Sequence, residues 1–265
     1  MDVNIEKSGE GRHVAPESKH NEVINFFPIS VDNFFDNPDR IVRYAKSLPK
    51  EPDPEGKWPG KRTRPLWEID DELNRALLLK IFSCYYDLSY QDINWKRSEL
   101  YFQEISTFSK NKNDVKNRGW IHTDATDNEV AGLVYLTPDS DPDTGTSLFK
   151  VKPHKEHVAY NRQFAKHLLY RENYTVDEDY YIKKVKEHEK LFIEKTRFAN
   201  IYNRMVTYDT NYYHRANSFY NEGDPRLTLV FFLGGLRGTS PPIERIKGGK
   251  WDKIIESRLI YNYGK

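Results

Sequence analysis

Cysteine is almost missing from this chain: Cys84 is the only one in 265 residues. An intramolecular disulfide is therefore impossible, and a zinc centre built on thiolates is disfavoured. Long apolar runs are missing too, so no segment reaches the roughly 20 residues of a membrane-spanning helix. The N-terminal stretch MDVNIEKSGEGRHVAPESKHNE lacks the apolar core of a signal peptide. Charge of either sign is scarcely in excess, with a formal value of +1, which argues against a basic face for nucleic acid. No GxGxxG or GxxxxGKS/T phosphate loop occurs. The expectation from these absences is a soluble, cytoplasmic protein with neither nucleic-acid nor membrane partners. Residues 1–22 read as a flexible arm and residues 23–265 as a single domain.

Aromatic residues are plentiful: 18 Tyr, 14 Phe and 5 Trp. DNPDRIVRYAKSL (36–48) predicts a helix with Asp36 or Asn37 as cap, Pro38 in the first turn, and an apolar stripe of Ile41, Tyr44, Ala45 and Leu48. IDDELNRALLLKIFSCYY (69–86) predicts a second, with Leu73, Leu77, Ile81 and Phe82 on one face. Between them, Pro49–Pro65 reads as a long loop carrying Trp58, Lys61, Arg62 and Arg64. From Ser98 the pattern turns to strands: SELYFQEISTFS, EVAGLVYLT, TSLFKVKP, RFANIYNRMVTYD and PRLTLVFFLGG. A charged stretch, 150–196, interrupts them and has helical composition, with Thr175–Glu178 as a capping box. The tail, PPIERIKGGKWDKIIESRLIYNYGK, has room for one short helix. Helices first and strands afterwards suggest an antiparallel sheet or barrel with helices on one side, since a parallel α/β sheet needs regular alternation.

The chain has 8 histidines. His20 and Glu22, like His154 and Glu156, read as solvated surface pairs, and His154, His157, His167 and His188 show no third ligand at matching spacing. His122 and Asp124 stand just before an apolar strand, and side chains two apart on an extended chain point the same way. A 2-His-1-carboxylate set, suited to Fe(II), needs one more histidine from a neighbouring strand. His214 is the candidate. In the last strand Arg226 shares a face with Thr228, Val230 and Phe232, while Leu227, Leu229, Phe231 and Leu233 form the other. An arginine on an apolar face is costly unless paired, and a dicarboxylate can pair with it through a bidentate fork.

Six ordered pieces carry a resemblance: HTD (122–124), GLVYLTPD (132–139), TGTSLF (144–149), RMVTYD (204–209), HRA (214–216) and EGDPRLTLVFF (222–232). Together the set resembles the 2-oxoglutarate- and Fe(II)-dependent dioxygenases, in particular their prolyl-hydroxylase-like branch. The resemblance implies a mainly β fold, a double-stranded β-helix or jelly roll, with supporting N-terminal helices and the helical insertion at 150–196. It also implies that His122, Asp124 and His214 are iron ligands and that Arg226 binds the distal carboxylate of 2-oxoglutarate, with the Tyr135 hydroxyl helping. The activity implied consumes O2 and 2-oxoglutarate, releases succinate and CO2, and hydroxylates an unactivated C–H bond, with ascorbate as an accessory reductant.

Three features depart from the family's pattern. Phe108 stands near a common tyrosine position, Thr144-Gly145 replaces a common Gly-Gly, and the insertion is long. Asp124 is kept where halogenating relatives have a small residue, which favours hydroxylation. By resemblance the substrate is an amino acid, free or within a peptide, with proline the first to try. Trp120, Tyr212, Tyr213, Phe219 and Tyr220 fit either a cavity mouth or an ordinary barrel core. The loop with Trp58 and GKRTRP fits either a segment folded over that mouth or a solvated loop. The rival reading is a catalytically silent jelly roll that binds a ligand or partner.

Overall fold

The computed structural model describes residues 24–89, 92–124, 128–162 and 177–237, with positions 170, 242, 253 and 255. The arm at 1–22, His20, His167, Thr175 of the expected capping box and most of the C-terminal tail lie outside the described residues.

In chain order the strands are β1 (Ile29–Val31), β2 (Glu51–Pro52), β3 (Lys61–Arg62), β4 (Arg97–Ile105), β5 (Val130–Tyr135), β6 (Thr146–Val151), β7 (Phe192–Phe198), β8 (Met205–Asp209), β9 (Tyr213–Ala216) and β10 (Arg226–Gly234). They form two sheets. One has the order β1-β8-β5-β10-β4-β3-β2, the other β7-β6-β9. Every pairing is antiparallel. An isolated bridge between His122 and His214 adds the segment around His122 to the free edge of β9. The chain thus winds from β4 in the larger sheet to His122 in the smaller, back to β5, across to β6 and β7, and then β8, β9 and β10 alternate between sheets. That winding is the double-stranded β-helix.

Side-chain alternation assigns each strand one face inside the roll and one outside. Leu133 and Tyr135 of β5, Val206 and Tyr208 of β8, and Val230 of β10 meet Leu148 of β6 between the sheets. The opposite faces, Val130, Val134, Leu229, Phe231 and Leu233, pack against the N-terminal helices. Those helices are α1 (Pro38–Ser47), α2 (Leu66–Ile69) and α3 (Asp71–Phe82). α1 starts where the sequence puts it: Asn37 Oδ1 accepts from the Arg40 amide and Pro38 occupies the first turn. The second expected helix is shorter than 69–86; it starts from Asp70, whose carboxylate accepts from the Leu73 amide, and ends at Phe82.

Two differences from the sequence reading have clear causes. The Pro49–Pro65 loop is an edge hairpin, with β3 paired to β4 and β2 paired to β3. Strands of two residues have no periodicity to detect. The turn into it needs Gly60, whose φ is +70° and whose missing Cβ would lie 2.1 Å from the Glu104 carbonyl oxygen. The helical insertion is also narrower than 150–196. Among its described residues are the helices α4 (Glu156–Arg162) and α5 (Glu178–Glu189), and Phe192–Phe198 is a strand on β6. FIEKTRF reads as helical because of its charges, but charged side chains are what an exposed edge strand carries. Among the described residues no helix is long and apolar enough to cross a membrane.

Gly132 sits where β5 runs between β8 and β10, opposite Phe231. A Cβ there would meet the Val206 carbonyl oxygen and the Phe231 ring, both at 2.3 Å. Gly132→Ala is expected to destabilise the fold by about 1–3 kcal/mol or more, measured by urea denaturation; an unchanged midpoint would contradict this packing.

Candidate metal centre

The two histidines meet through their backbones. The His122 amide donates to the His214 carbonyl (3.1 Å) and the His214 amide donates back (2.8 Å). Residues that exchange both bonds in an antiparallel pair lie directly opposite and send their side chains to the same face. The imidazole centroids are accordingly 4.5 Å apart. Asp124 lies two residues on, with its amide bonded to the Thr210 carbonyl. Its Oδ1 is 3.5 Å from His122 Nε2 and its Oδ2 is 3.1 Å from His214 Nε2. One ligand atom from each of the three falls within 4.8 Å of the others.

Each ring is oriented by a carbonyl two residues upstream. His122 Nδ1 is 2.7 Å from the Trp120 oxygen, and His214 Nδ1 is 3.0 Å from the Tyr212 oxygen. A carbonyl only accepts, so Nδ1 carries the hydrogen and donates it. In the neutral ring Nε2 then holds a lone pair, directed at the shared point beside Asp124. This is the usual support for an imidazole metal ligand. Two imidazole nitrogens and a carboxylate, with no thiolate, fit Fe(II) and similar divalent ions.

Arg226 opens β10 on the inner face and is 4% exposed. Burial pulls its guanidinium below the usual arginine range, and the nearby Tyr135 and Tyr208 oxygens act the other way. Its Nε and Nη2 have no hydrogen-bond partner. Those two N–H groups lie on one edge of the guanidinium and form a side-on fork for a carboxylate. Tyr135 stands beside it, with the guanidinium carbon 5.5 Å from the ring centroid, but its hydroxyl donates to Thr146 Oγ1 at 2.9 Å.

His122, Asp124, His214 and Arg226 line one cavity of about 180 Å³. Tyr135 does not line it, whereas Thr146, its hydrogen-bond partner, does. Of the flanking aromatics, Trp120 and Phe219 reach the cavity, while Tyr213 packs behind it against Phe192. Lys57, Trp58 and Arg62 of the edge hairpin also line it, so that segment forms part of the cavity wall. Lys61 and Arg64 are exposed, and Arg64 pairs with Glu68. Sequence reasoning missed Thr146, Gln103 and Tyr208. Their inward positions on β6, β4 and β8 were open to a strict alternation count once the registers were known, and not before.

From behind, the insertion braces the metal strand. His188 of α5 donates from Nε2 to the Ile121 carbonyl (2.7 Å) and stacks on Trp120 at 4.6 Å. His188 is thus a buried support. His214→Ala removes one of three donors and is expected to weaken Co(II) or Ni(II) binding by more than the ~100-fold that outer partners of a metal site carry. Calorimetric titration checks this; affinity unchanged from the parent protein would show that the ion does not bind here.

Comparison with known proteins gives a family and a set of structural likenesses. HygX from Streptomyces hygroscopicus, with nickel and 2-oxoglutarate bound, is 12% identical over 80% of this chain and 84% of that one, with a TM-score of 0.46. A Trichoplax adhaerens prolyl hydroxylase in complex with a hypoxia inducible factor peptide is 10% identical over 84% and 87%, with a TM-score of 0.43. A Pseudomonas putida prolyl-4-hydroxylase is 11% identical over 79% and 92%, also at 0.43. No curated protein matches the sequence. Residues 22–232 match the family described as a family of unknown function, DUF6445, and the chain belongs to that family.

Proposed function

We propose that this chain is a 2-oxoglutarate- and Fe(II)-dependent oxygenase that hydroxylates an unactivated C–H bond. The observation that carries the reading is one cavity holding both halves of such a site. On one wall stand two imidazoles and a carboxylate converging on a point; on the facing strand stands a buried arginine whose Nε–Nη2 edge has no partner. A desolvated cation with an unpaired fork is costly, and a ligand carboxylate removes that cost.

In this reading His122, Asp124 and His214 hold the ion, and Arg226 receives the distal carboxylate of 2-oxoglutarate. Ferrous iron, when bound, supplies the redox chemistry with O2. The chain supplies position. Backbone carbonyls fix the two imidazole tautomers, and the buried guanidinium sets the direction in which the keto acid lies. Tyr135 acts on that same carboxylate through the Thr146 hydroxyl, which it orients. Apolar inner residues such as Leu133 and Val230 keep water from the co-substrate. Overall, R–H, O2 and 2-oxoglutarate give R–OH, succinate and CO2. The substrate class is an amino acid, free or in a peptide, and proline is the first compound to assay.

Incubation with Fe(II), ascorbate and 2-oxoglutarate is expected to yield succinate, and His214→Ala to abolish it. Anaerobic titration gives the sharper test. Arg226→Ala is expected to weaken 2-oxoglutarate binding by about 2 kcal/mol or more, the scale for truncating one partner of a buried charge pair. Equal affinity in parent and variant would remove Arg226 from the role.

A further inference from the structure

Arg226 is not the only arginine in the cavity wall. Arg62 lies on β3 directly opposite Gln103 of β4, and Gln103 is in turn opposite Thr228 of β10. Residues opposite one another in an antiparallel sheet share a face, so this row places Arg62, Gln103 and Thr228 together inside the roll. All three line the cavity. The row also places Arg62 two strands, or about 10 Å, from the Thr228 backbone, rather than beside Arg226.

The surroundings of Arg62 hold it in place without neutralising it. Its guanidinium carbon lies 4.6 Å from the Trp58 ring centroid, 5.4 Å from that of Tyr101 and 5.5 Å from that of Phe232. Its Nη2 donates to Gln103 Oε1 at 3.3 Å, and Gln103 Nε2 donates to the Pro59 carbonyl at 2.7 Å. Nε has no partner, and neither has Nε1 of Trp58 alongside it. Among the described residues no carboxylate pairs with Arg62. Glu99 is engaged by Arg97 and by the Tyr101 hydroxyl. Lys57, also in the cavity wall, is paired with Glu55. Desolvation pulls the Arg62 guanidinium down to about 10, against the raising influence of Tyr101 and Asp124.

This is a preset cation in an aromatic frame, with the Arg62 Nε and the Trp58 indole N–H unused, in the wall of the cavity that holds His122, Asp124 and His214. The co-substrate of the proposed reaction does not need it, since one carboxylate of 2-oxoglutarate is assigned to Arg226 and its keto-acid end to the ion. We propose that Arg62, with the Trp58 indole N–H, receives a carboxylate of the primary substrate, so that the substrate is an acid with an apolar body. This assignment rests on the oxygenase reading. One cation, with no second unpaired one beside it among the described residues, suits a singly charged group better than a phosphate dianion. The Trp58, Phe219, Phe232 and Trp120 surfaces nearby suit an apolar or aromatic body. Arg62 also explains why the edge hairpin is built as it is. The Asp53 carboxylate accepts from the Glu55 and Lys57 amides, and Gly60 makes the tight approach to β4; both shape the turn that delivers Trp58 and Arg62 to the cavity.

The test compares matched acids and amides. Benzoate against benzamide, and hexanoate against hexanamide, are titrated calorimetrically into the anaerobic full-length protein, with and without Mn(II) and 2-oxoglutarate. The parent protein is expected to prefer at least one acid over its amide by about tenfold or more. Arg62→Lys, which keeps the charge, retains a preference, and Arg62→Gln loses it. Both variants are expected to bind 2-oxoglutarate within about twofold of the parent, as separate sites should, which also shows that they fold. No acid preference in the parent, or a preference that persists in Arg62→Gln, overturns the proposal. So does a loss of 2-oxoglutarate binding in Arg62→Gln, which would assign Arg62 to the co-substrate or the scaffold. A parent protein that discriminates acids from amides but binds no 2-oxoglutarate would instead sink the oxygenase reading.

Discussion

The reciprocal backbone pair between His122 and His214 is the constraint on which the site depends. Two amide–carbonyl bonds set the residues opposite one another across the edge of the smaller sheet, and pleating then turns both imidazoles to one side. Each ring is turned further by the carbonyl two residues upstream, which fixes its tautomer. Asp124 needs only to follow two residues after His122 to bring its carboxylate to the same point. A slip of one residue in this pairing would send one imidazole to the far face and leave no three-ligand set.

The larger sheet answers with cations. β10 is the central strand, paired on both sides over most of its length, so its inner face is withdrawn from water. Arg226 at its start is therefore held desolvated, with Nε and Nη2 unpartnered. Arg62 repeats the arrangement two strands away, with aromatic rings in place of counter-ions. One cavity wall thus presents guanidinium donors and the other the imidazole and carboxylate groups of His122, Asp124 and His214.

The outer layers keep those walls in register. The N-terminal helices cover the apolar backs of β5, β8 and β10 through a core that includes Leu78, Ile81 and Phe82. The insertion does the same for the segment that carries His122 and Asp124, where Trp120 packs with Tyr181 and Val185 and His188 binds the Ile121 carbonyl. Support of this kind is what sub-ångström placement of ligands needs, because a loosely backed strand would let the imidazoles drift.

Much of this was legible beforehand, and for local reasons. Alternation in PRLTLVFFL separates the face of Arg226 from the face of Leu229, and capping chemistry places α1, since both are properties of a few consecutive residues. The same holds for His122 and Asp124 sharing a side. What only the tertiary structure decided is which distant residues meet. Strand pairing sets His214 against His122 and Arg62 against Gln103, turns Tyr135 toward Thr146, and makes an edge strand of the charged segment FIEKTRF. Hydrogen bonds between strands join residues that no short-range pattern relates, and a two-residue strand such as Lys61–Arg62 exists only because β4 is there to pair with it.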